Sequence, residues 1–583
     1  HYSFVALPDD KYSPRVFETR CGSFPMEYMD YATPIWEPIK KRFIYRHRLE
    51  KKNSDLAVSE AIEPIIYYLD SGTPEPIRSA LLEGASWWNQ AFEAIGYKNG
   101  FQVKMLPADA DPLDLRYNII QWVHRSTRGW SYGSTISDPR TGEIIKGHVS
   151  LGSLRIRQDF LIAQALMNQP FAERDDNYEP MLSMALARIR QLAAHEVGHT
   201  LGFAHNFAAS PINRSSVMDY PHPTLTLKNG EIDFSNAYDT GIGDWDKVTV
   251  AYSYSDVPKG MKEKKYLRGI LTNAFINGLQ YISDADARPQ GSAHAKAHLW
   301  DNGENTSEEL ESVLAIRNQA IENFSIDNIR NDEPYTVLED VFVPLYFYHR
   351  YQTEAAVKSI GGLNYNYAVK GSGGVVVEVI SKKEQEQALK SVLKTISVQT
   401  LLIPEAKLKL FPPRAMAYQR TRESFKSNTN VAFDALGAVA TASDMTLRLL
   451  LNPERANRLV EQHAILEKNL GLDGVLNPLI NHCFNIKMNT SYEEEVCNTI
   501  QYRLLQNLFN LISSTKSIAQ VKAIANKNLD DLNSLLNDDN STFNKQLLRE
   551  INEYRKHPEK FKTFKTPKIP DGSPIGSFQC SIQ

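Results

Sequence analysis

Cysteine is scarce in this chain. Its 583 residues hold four, Cys21, Cys483, Cys497 and Cys580, and no Cys-x-x-Cys pair. That excludes a small disulfide-stapled scaffold and a cysteine-built metal ribbon. Cys483 and Cys497 lie fourteen apart in a helical-looking stretch. They either close a short disulfide loop in an oxidising compartment or stay as two buried thiols. Long apolar runs are also missing: none approaches the roughly 18 residues that would span a bilayer. No sign of charge dominates, with 65 Lys+Arg against 69 Asp+Glu and a formal net charge of −4. No basic stripe with interleaved aromatics occurs, so no nucleic-acid partner is expected. No internal repeat points to a solenoid. A chain of this length buries more than one core, so several domains are expected.

What is present is concentrated at one place. Residues 195–205 read HEVGHTLGFAH. His195 and His199 are four apart, so on a helix they project from one face, one turn above the other. Two imidazoles need that spacing to share one tetrahedral zinc. Glu196 lies between them and can point toward a water on the same metal. Gly202 falls where the helix must stop and turn back, since glycine takes a left-handed conformation without strain. The reversal brings His205 round as third ligand. Three protein ligands leave one position open, which marks a catalytic rather than a structural zinc. In a chain with 14 His, a random HExxH is expected roughly 0.02 times and the whole pattern roughly 3 times in 100,000. An amphipathic helix that carries histidines for other reasons is set aside on that ground. Pro180 can open the helix at its first position. Met181, Met184, Leu186, Ile189, Leu192, Ala193, Val197 and Leu201 then supply an apolar stripe broad enough for burial.

This motif resembles that of the metzincins, zinc peptidases defined by HExxHxxGxxH followed by a Met-turn. Residues 215–220 (SSVMDY) resemble that turn. The resemblance puts Met218 beneath the metal as a hydrophobic base that does not ligate. A flexible thioether suits an irregular gap under three imidazoles. Tyr220 stands where some metzincins carry a tyrosine that helps stabilise the tetrahedral intermediate. A phenol can donate to a developing oxyanion, or it can simply pack on the turn; both readings stay open. Segments 75–78 (EPIR), 122–125 (WVHR), 128–133 (RGWSYG) and 138–144 (DPRTGEI) narrow the resemblance. They look like a family of large bacterial, Bacteroidetes-type zinc-dependent metallopeptidases, over most of residues 62–303 and less specifically beyond. The resemblance implies a zinc endopeptidase acting on a peptide or protein substrate. His195, His199 and His205 would hold one catalytic Zn²⁺, and Glu196 would be the general base. A zinc hydrolase of a non-peptide bond, or a binding or scaffold protein retaining the site, are the alternatives. Members of that family carry a signal peptide and further N-terminal sequence. A chain starting at His1 is therefore expected to be a truncated or processed piece of an exported protein, periplasmic or extracellular.

Periodicity sketches the rest. Residues 65–69, 101–106 and 117–123 read as strands, 76–96 as one helix, 129–133 and 138–143 as turns, and 144–156 as extended. In the metzincin arrangement one edge strand pairs with an extended peptide. Residues 147–154 (GHVSLGSL) are the candidate, an internal strand being the alternative. Residues 241–246 open a helix with acids in its first turn, and Trp245, Val248 and Tyr252 are expected beneath the active site. Asp284 and Asp286 either wall the cleft or hold a structural Ca²⁺ through oxygen ligands, although the full calcium-loop pattern is missing. Residues 284–300 are expected to restrict entry to the cleft. The expected fold class is α+β: a metzincin-like catalytic domain, with a mixed twisted sheet and an active-site helix, followed by a mainly helical C-terminal domain. The expected segments are 1–60, the end of an upstream region or a strap; 61–260, the zinc domain; 261–420, a mixed α/β extension near the cleft; and 421–583, mainly helical.

Overall fold

A computed structural model describes residues 4–126, 129, 131–537, 541–565 and 567–571. Strand β1 (Ile65–Leu69) alternates buried and half-buried residues, the pattern of an apolar run with one face on a core. Helices α1 (Ile77–Ser86) and α2 (Trp88–Ala94) follow. The single helix expected over 76–96 breaks at Trp87, whose N–H turns to the Gly84 carbonyl. Gly84 lies against the Arg190 backbone, where a Cβ would overlap the carbonyl, so α1 is drawn tightly onto the zinc helix.

Strands β2 (Phe101–Met105), β3 (Asn118–Val123), β4 (Tyr132–Ser137) and β5 (Glu143–Gly152) complete a sheet of order β4-β5-β3-β1-β2. All pairs are parallel except β4–β5. Arg46–His47 adds a short parallel pairing at the start of β5. The stretch expected at the edge lies instead in β5 and the loop after it. Strand β4 pairs with β5 over Ile144–Ser150, and β3 pairs with it over His148–Gly152. β5 is therefore an inner strand, buried almost continuously, as strands covered on both faces are. The outermost strand is β4, whose residues alternate exposed and half-buried. Among the described residues no strand pairs with its outer side. Residues 127, 128 and 130 lie outside the described residues, the last of them within the turn expected over 129–133, and Tyr132 and Gly133 of that turn belong to β4.

Helix α3 (Arg155–Leu166) takes the last two residues of the run expected to be extended over 144–156 and continues through a stretch where no element was expected. Nothing local announces its start, because Leu154 at its N-cap offers no capping side chain. Helix α4 (Glu179–Thr200) carries the zinc motif, with Pro180 in its first turn. Helices α5 (Asp244–Tyr254), α6 (Glu263–Ile276) and the short α7 (Asp284–Ala287) come after the Met-turn. On α5, Val250 and Tyr254 face the core under the zinc helix. Tyr252 instead joins Cys21, Ile44, Leu267 and Leu271, and Trp245 stacks on Tyr281. The expected trio was thus placed on the wrong side of that helix.

Two cores meet at α4. One lies between the sheet, α1, α2 and the later turns of α4. The other takes Met181 and Met184 from the first turns of α4, together with Ile162 and Leu166 of α3, and continues through C-terminal helices to Tyr554. Those helices include Ala435–Leu450, Ser491–Ser513, Ala519–Asn537 and Thr542–Lys556. Cys483 and Cys497 are free, buried thiols. The Cys497 Sγ faces the Cys483 carbonyl oxygen at 3.8 Å. Both helices turn these side chains into apolar packing, so the disulfide alternative does not hold. Among the described residues no helix is long and apolar enough to cross a membrane.

Candidate metal centre

Helix α4 is held from below at the motif itself. The Trp88 indole N–H donates to the Ala194 carbonyl at 2.7 Å, and Met218 is fully buried beside Gly198. A Cβ at Gly198 would overlap the Met218 Sδ and stand 2.6 Å from Trp88 Cζ2. Alanine would gain about 1 kcal/mol of helix propensity there. The overlap with a fixed indole costs about 1–3 kcal/mol, so packing wins. Gly198→Ala is expected to lower the melting temperature and weaken zinc retention. A variant as stable as its parent would show that the indole and thioether yield freely.

The chain then reverses at Gly202, with φ +100°. A Cβ here would overlap the Tyr45 carbonyl oxygen. Phe24 N–H donates to the Gly202 carbonyl at 2.8 Å and Ala204 N–H to that of Gly22 at 2.9 Å, so the N-terminal segment braces the turn. The reversal brings three imidazoles together. His195 Nδ1 donates to the Val217 carbonyl at 2.7 Å, His199 Nδ1 to that of Phe203 at 2.8 Å, and His205 Nδ1 to Asp284 at 2.9 Å. A neutral imidazole that donates from Nδ1 keeps its lone pair on Nε2. The Nε2 of His199 lies 3.1 Å from the Nε2 atoms of both His195 and His205. None of the three has a proton for the others, so three lone pairs converge and call for a cation. Nitrogens about 2.0–2.1 Å from a tetrahedral zinc stand about 3.3 Å apart, which this set fits. Burial pushes His199 down to about 3 and holds His195 and His205 below the usual imidazole range, keeping the neutral, ligating form.

Glu196, next to His195 in the chain, is buried, and its Oε2 has no hydrogen-bond partner among the described residues. Burial pushes its carboxyl up to about 8, a shift that a cation at the histidines would oppose. Strand β4 runs against this turn of the helix: a Cβ at Gly133 would stand 2.7 Å from the Glu196 carbonyl oxygen and 3.0 Å from His199 Cβ.

A family model described as Met-zincin matches residues 177–490, more than half of the chain. The chain belongs to the Met-zincin family. A model of a domain of unknown function (DUF5117) matches residues 1–52. No curated protein and no solved structure matches the chain. Family and histidine triad together suggest a zinc metallopeptidase.

In this Met-zincin the Met-turn is tied to α5 through Asp246. Its carboxylate accepts from Ser216 Oγ at 2.6 Å, Val217 N–H at 2.8 Å and Gly243 N–H at 2.8 Å. Val217 in turn supplies the carbonyl that orients His195. Asp246→Asn keeps its carbonyl oxygen toward the two backbone N–H groups and turns its amide nitrogen to Ser216, whose hydroxyl can rotate to accept. The charge that strengthens these buried bonds is lost, at about 1–2 kcal/mol. The variant is expected to melt earlier and to release zinc to a chelator faster; unchanged zinc retention would separate the turn from the site.

Residues from beyond the motif close the site: Tyr220 and the stretch 284–300 were expected near it, whereas Arg288 and the ties it makes were not. Tyr220 sits with its ring centroid 5.1 Å from that of His195 and 4.9 Å from that of His205. It stacks on Trp300 at 5.1 Å, and Arg288 Nη2 donates to its hydroxyl at 3.1 Å. Asp284 accepts from His205 Nδ1 and from Arg288 Nε. These bonds hold its carboxyl well below the usual range although burial opposes them. The calcium reading fails here. On a helix, residues two apart face different ways, so Asp284 turns to His205 while Asp286 accepts from the hydroxyls of Tyr365 and Tyr367. Alternating acids were the signal in the sequence; their partners lie too far along the chain to be read there.

Proposed function

We propose that this Met-zincin is a zinc-dependent endopeptidase with Glu196 as general base. The observation that supports this reading most is the convergence of three neutral Nε2 atoms, with Glu196, next to His195 on the same helix, buried and its Oε2 without a partner among the described residues. His195, His199 and His205 would hold the metal, which when bound supplies Lewis-acid polarisation of a carbonyl and of a water. Glu196 takes the proton from the attacking water and passes it to the leaving amine. Tyr220 donates to the oxygen on which negative charge develops. The outer edge of β4, not β5, offers backbone hydrogen bonds to an extended peptide of any sequence. Family resemblance supports action outside the cytoplasm, which cell fractionation tests.

The zinc-loaded protein, incubated with a diverse peptide library and read by mass spectrometry, is expected to cut internal bonds. A zinc chelator should stop the cutting. A folded, metal-loaded sample that cuts nothing would overturn the reading. A panel of ester and amide substrates would then separate a non-peptide hydrolase from a scaffold.

A further inference from the structure

We propose that Arg288 is a positioning residue that couples the third histidine to Tyr220; its catalytic consequence rests on the peptidase reading above. Arg288, its side chain only 10% exposed, lies between two functional groups and touches both. Through Nε it binds the Asp284 carboxylate that accepts from His205 Nδ1, and through Nη2 it binds the Tyr220 hydroxyl. Its guanidinium also lies over the rings of Phe207 and Tyr220, each centroid 5.2 Å from Cζ.

The direction of the second bond follows from chemistry. A guanidinium has five N–H donors and no acceptor, so the phenol oxygen accepts and its own proton is directed to another group. A fixed cation beside that oxygen favours charge on it and makes the O–H a stronger donor. Arg288 therefore both aims the phenol and sharpens it. Asp284 balances the arginine's charge, so no bare cation faces a metal at the histidines.

The arrangement is anchored from three sides. Lys358 Nζ donates to the Ala287 carbonyl at 2.5 Å and to that of Ala297 at 2.7 Å. Asp286 is gripped by two tyrosines. Trp300, stacked on Tyr220, holds a positive φ of +56°. That conformation is costly for a bulky residue and persists only where surroundings impose it. Tyr220 is thus held in one place by groups outside the motif: Arg288 donates to its hydroxyl and the Trp300 N–H to its carbonyl.

The test uses the zinc-loaded full chain with tyrosines labelled at Cζ with ¹³C. The Tyr220 resonance is assigned by its loss in Tyr220→Phe. Arg288→Gln and Arg288→Lys are both expected to shift it, because neither side chain reproduces the forked contact. An unmoved resonance in the variants overturns the proposal, whether or not any peptide is cut. With a peptide substrate, Arg288→Gln is expected to lower kcat about 10–100-fold with KM and zinc content nearly unchanged. In a Tyr220→Phe background it should cost less than about 2-fold more, since residues acting through one another are not additive. The same full loss in both backgrounds overturns the coupling. If the glutamine variant fails to fold, the lysine variant carries both readouts. A moved resonance in a protein that cuts no peptide supports the tie between Arg288 and Tyr220 and overturns the peptidase reading alone.

Discussion

Glu196→Ala is expected to abolish turnover while leaving one zinc per chain. The three Nε2 atoms that converge belong to His195, His199 and His205, and among the described residues the Glu196 Oε2 has no partner. Removing it therefore leaves the ligand set and its Nδ1 acceptors intact. General acid–base catalysis contributes about 10²–10⁴-fold. In the proposed mechanism one carboxylate serves both proton transfers, so the loss should fall at the upper end. A second consequence has the opposite sign. A buried carboxyl without a hydrogen bond destabilises the fold, so the metal-free variant should melt no earlier than its parent. Zinc content by atomic spectroscopy, turnover of a cleaved peptide and a melting curve read all three. Turnover at the parental rate would sink the mechanism, and loss of zinc would mean Glu196 helps hold the ligands.

Tyr220→Phe is expected to cut kcat about 10²–10³-fold, the usual cost of one lost oxyanion donor, with little change in KM. The ring would keep its stack on Trp300 and its edge against His205, so packing should hold. Zinc should stay near one per chain, because three histidines already satisfy a catalytic site. A variant that loses zinc would show the phenol holding the site together. A variant of full activity would reduce Tyr220 to a packing residue.

The parts of this site that could be read from sequence are those whose partners lie within one or two turns of chain. His195 and His199 share a helix face, Gly202 marks the reversal, and Met218 follows at a short interval, so local geometry carries the message. Asp284 and Arg288 reach the site from about eighty residues downstream, and no period or spacing links them to His205. The choice between β4 and β5 as edge strand also depends on pairing across the sheet. GHVSLGSL sets polar residues and glycine around Val149 and Leu151, so the sequence does not announce a strand buried on both faces, and the internal-strand alternative is the one that holds. Helix α3 escaped because it lacks a capping residue. The break at Trp87 escaped because it is imposed by the close approach of Gly84 to α4, a contact between segments about a hundred residues apart.

The anchoring of α7 by Lys358, Tyr365 and Tyr367 bears on the order in which the protein is made. Ribosomes release the three histidines well before they release these anchors. A nascent chain that has just emerged past the Met-turn holds the ligands but lacks the acceptor for His205 Nδ1 and the cation beside Tyr220. The site with all its contacts therefore exists only once the segment around residues 358–367 has emerged and folded back. Until then a growing chain carries an unassembled centre next to the unfolded polypeptide around it.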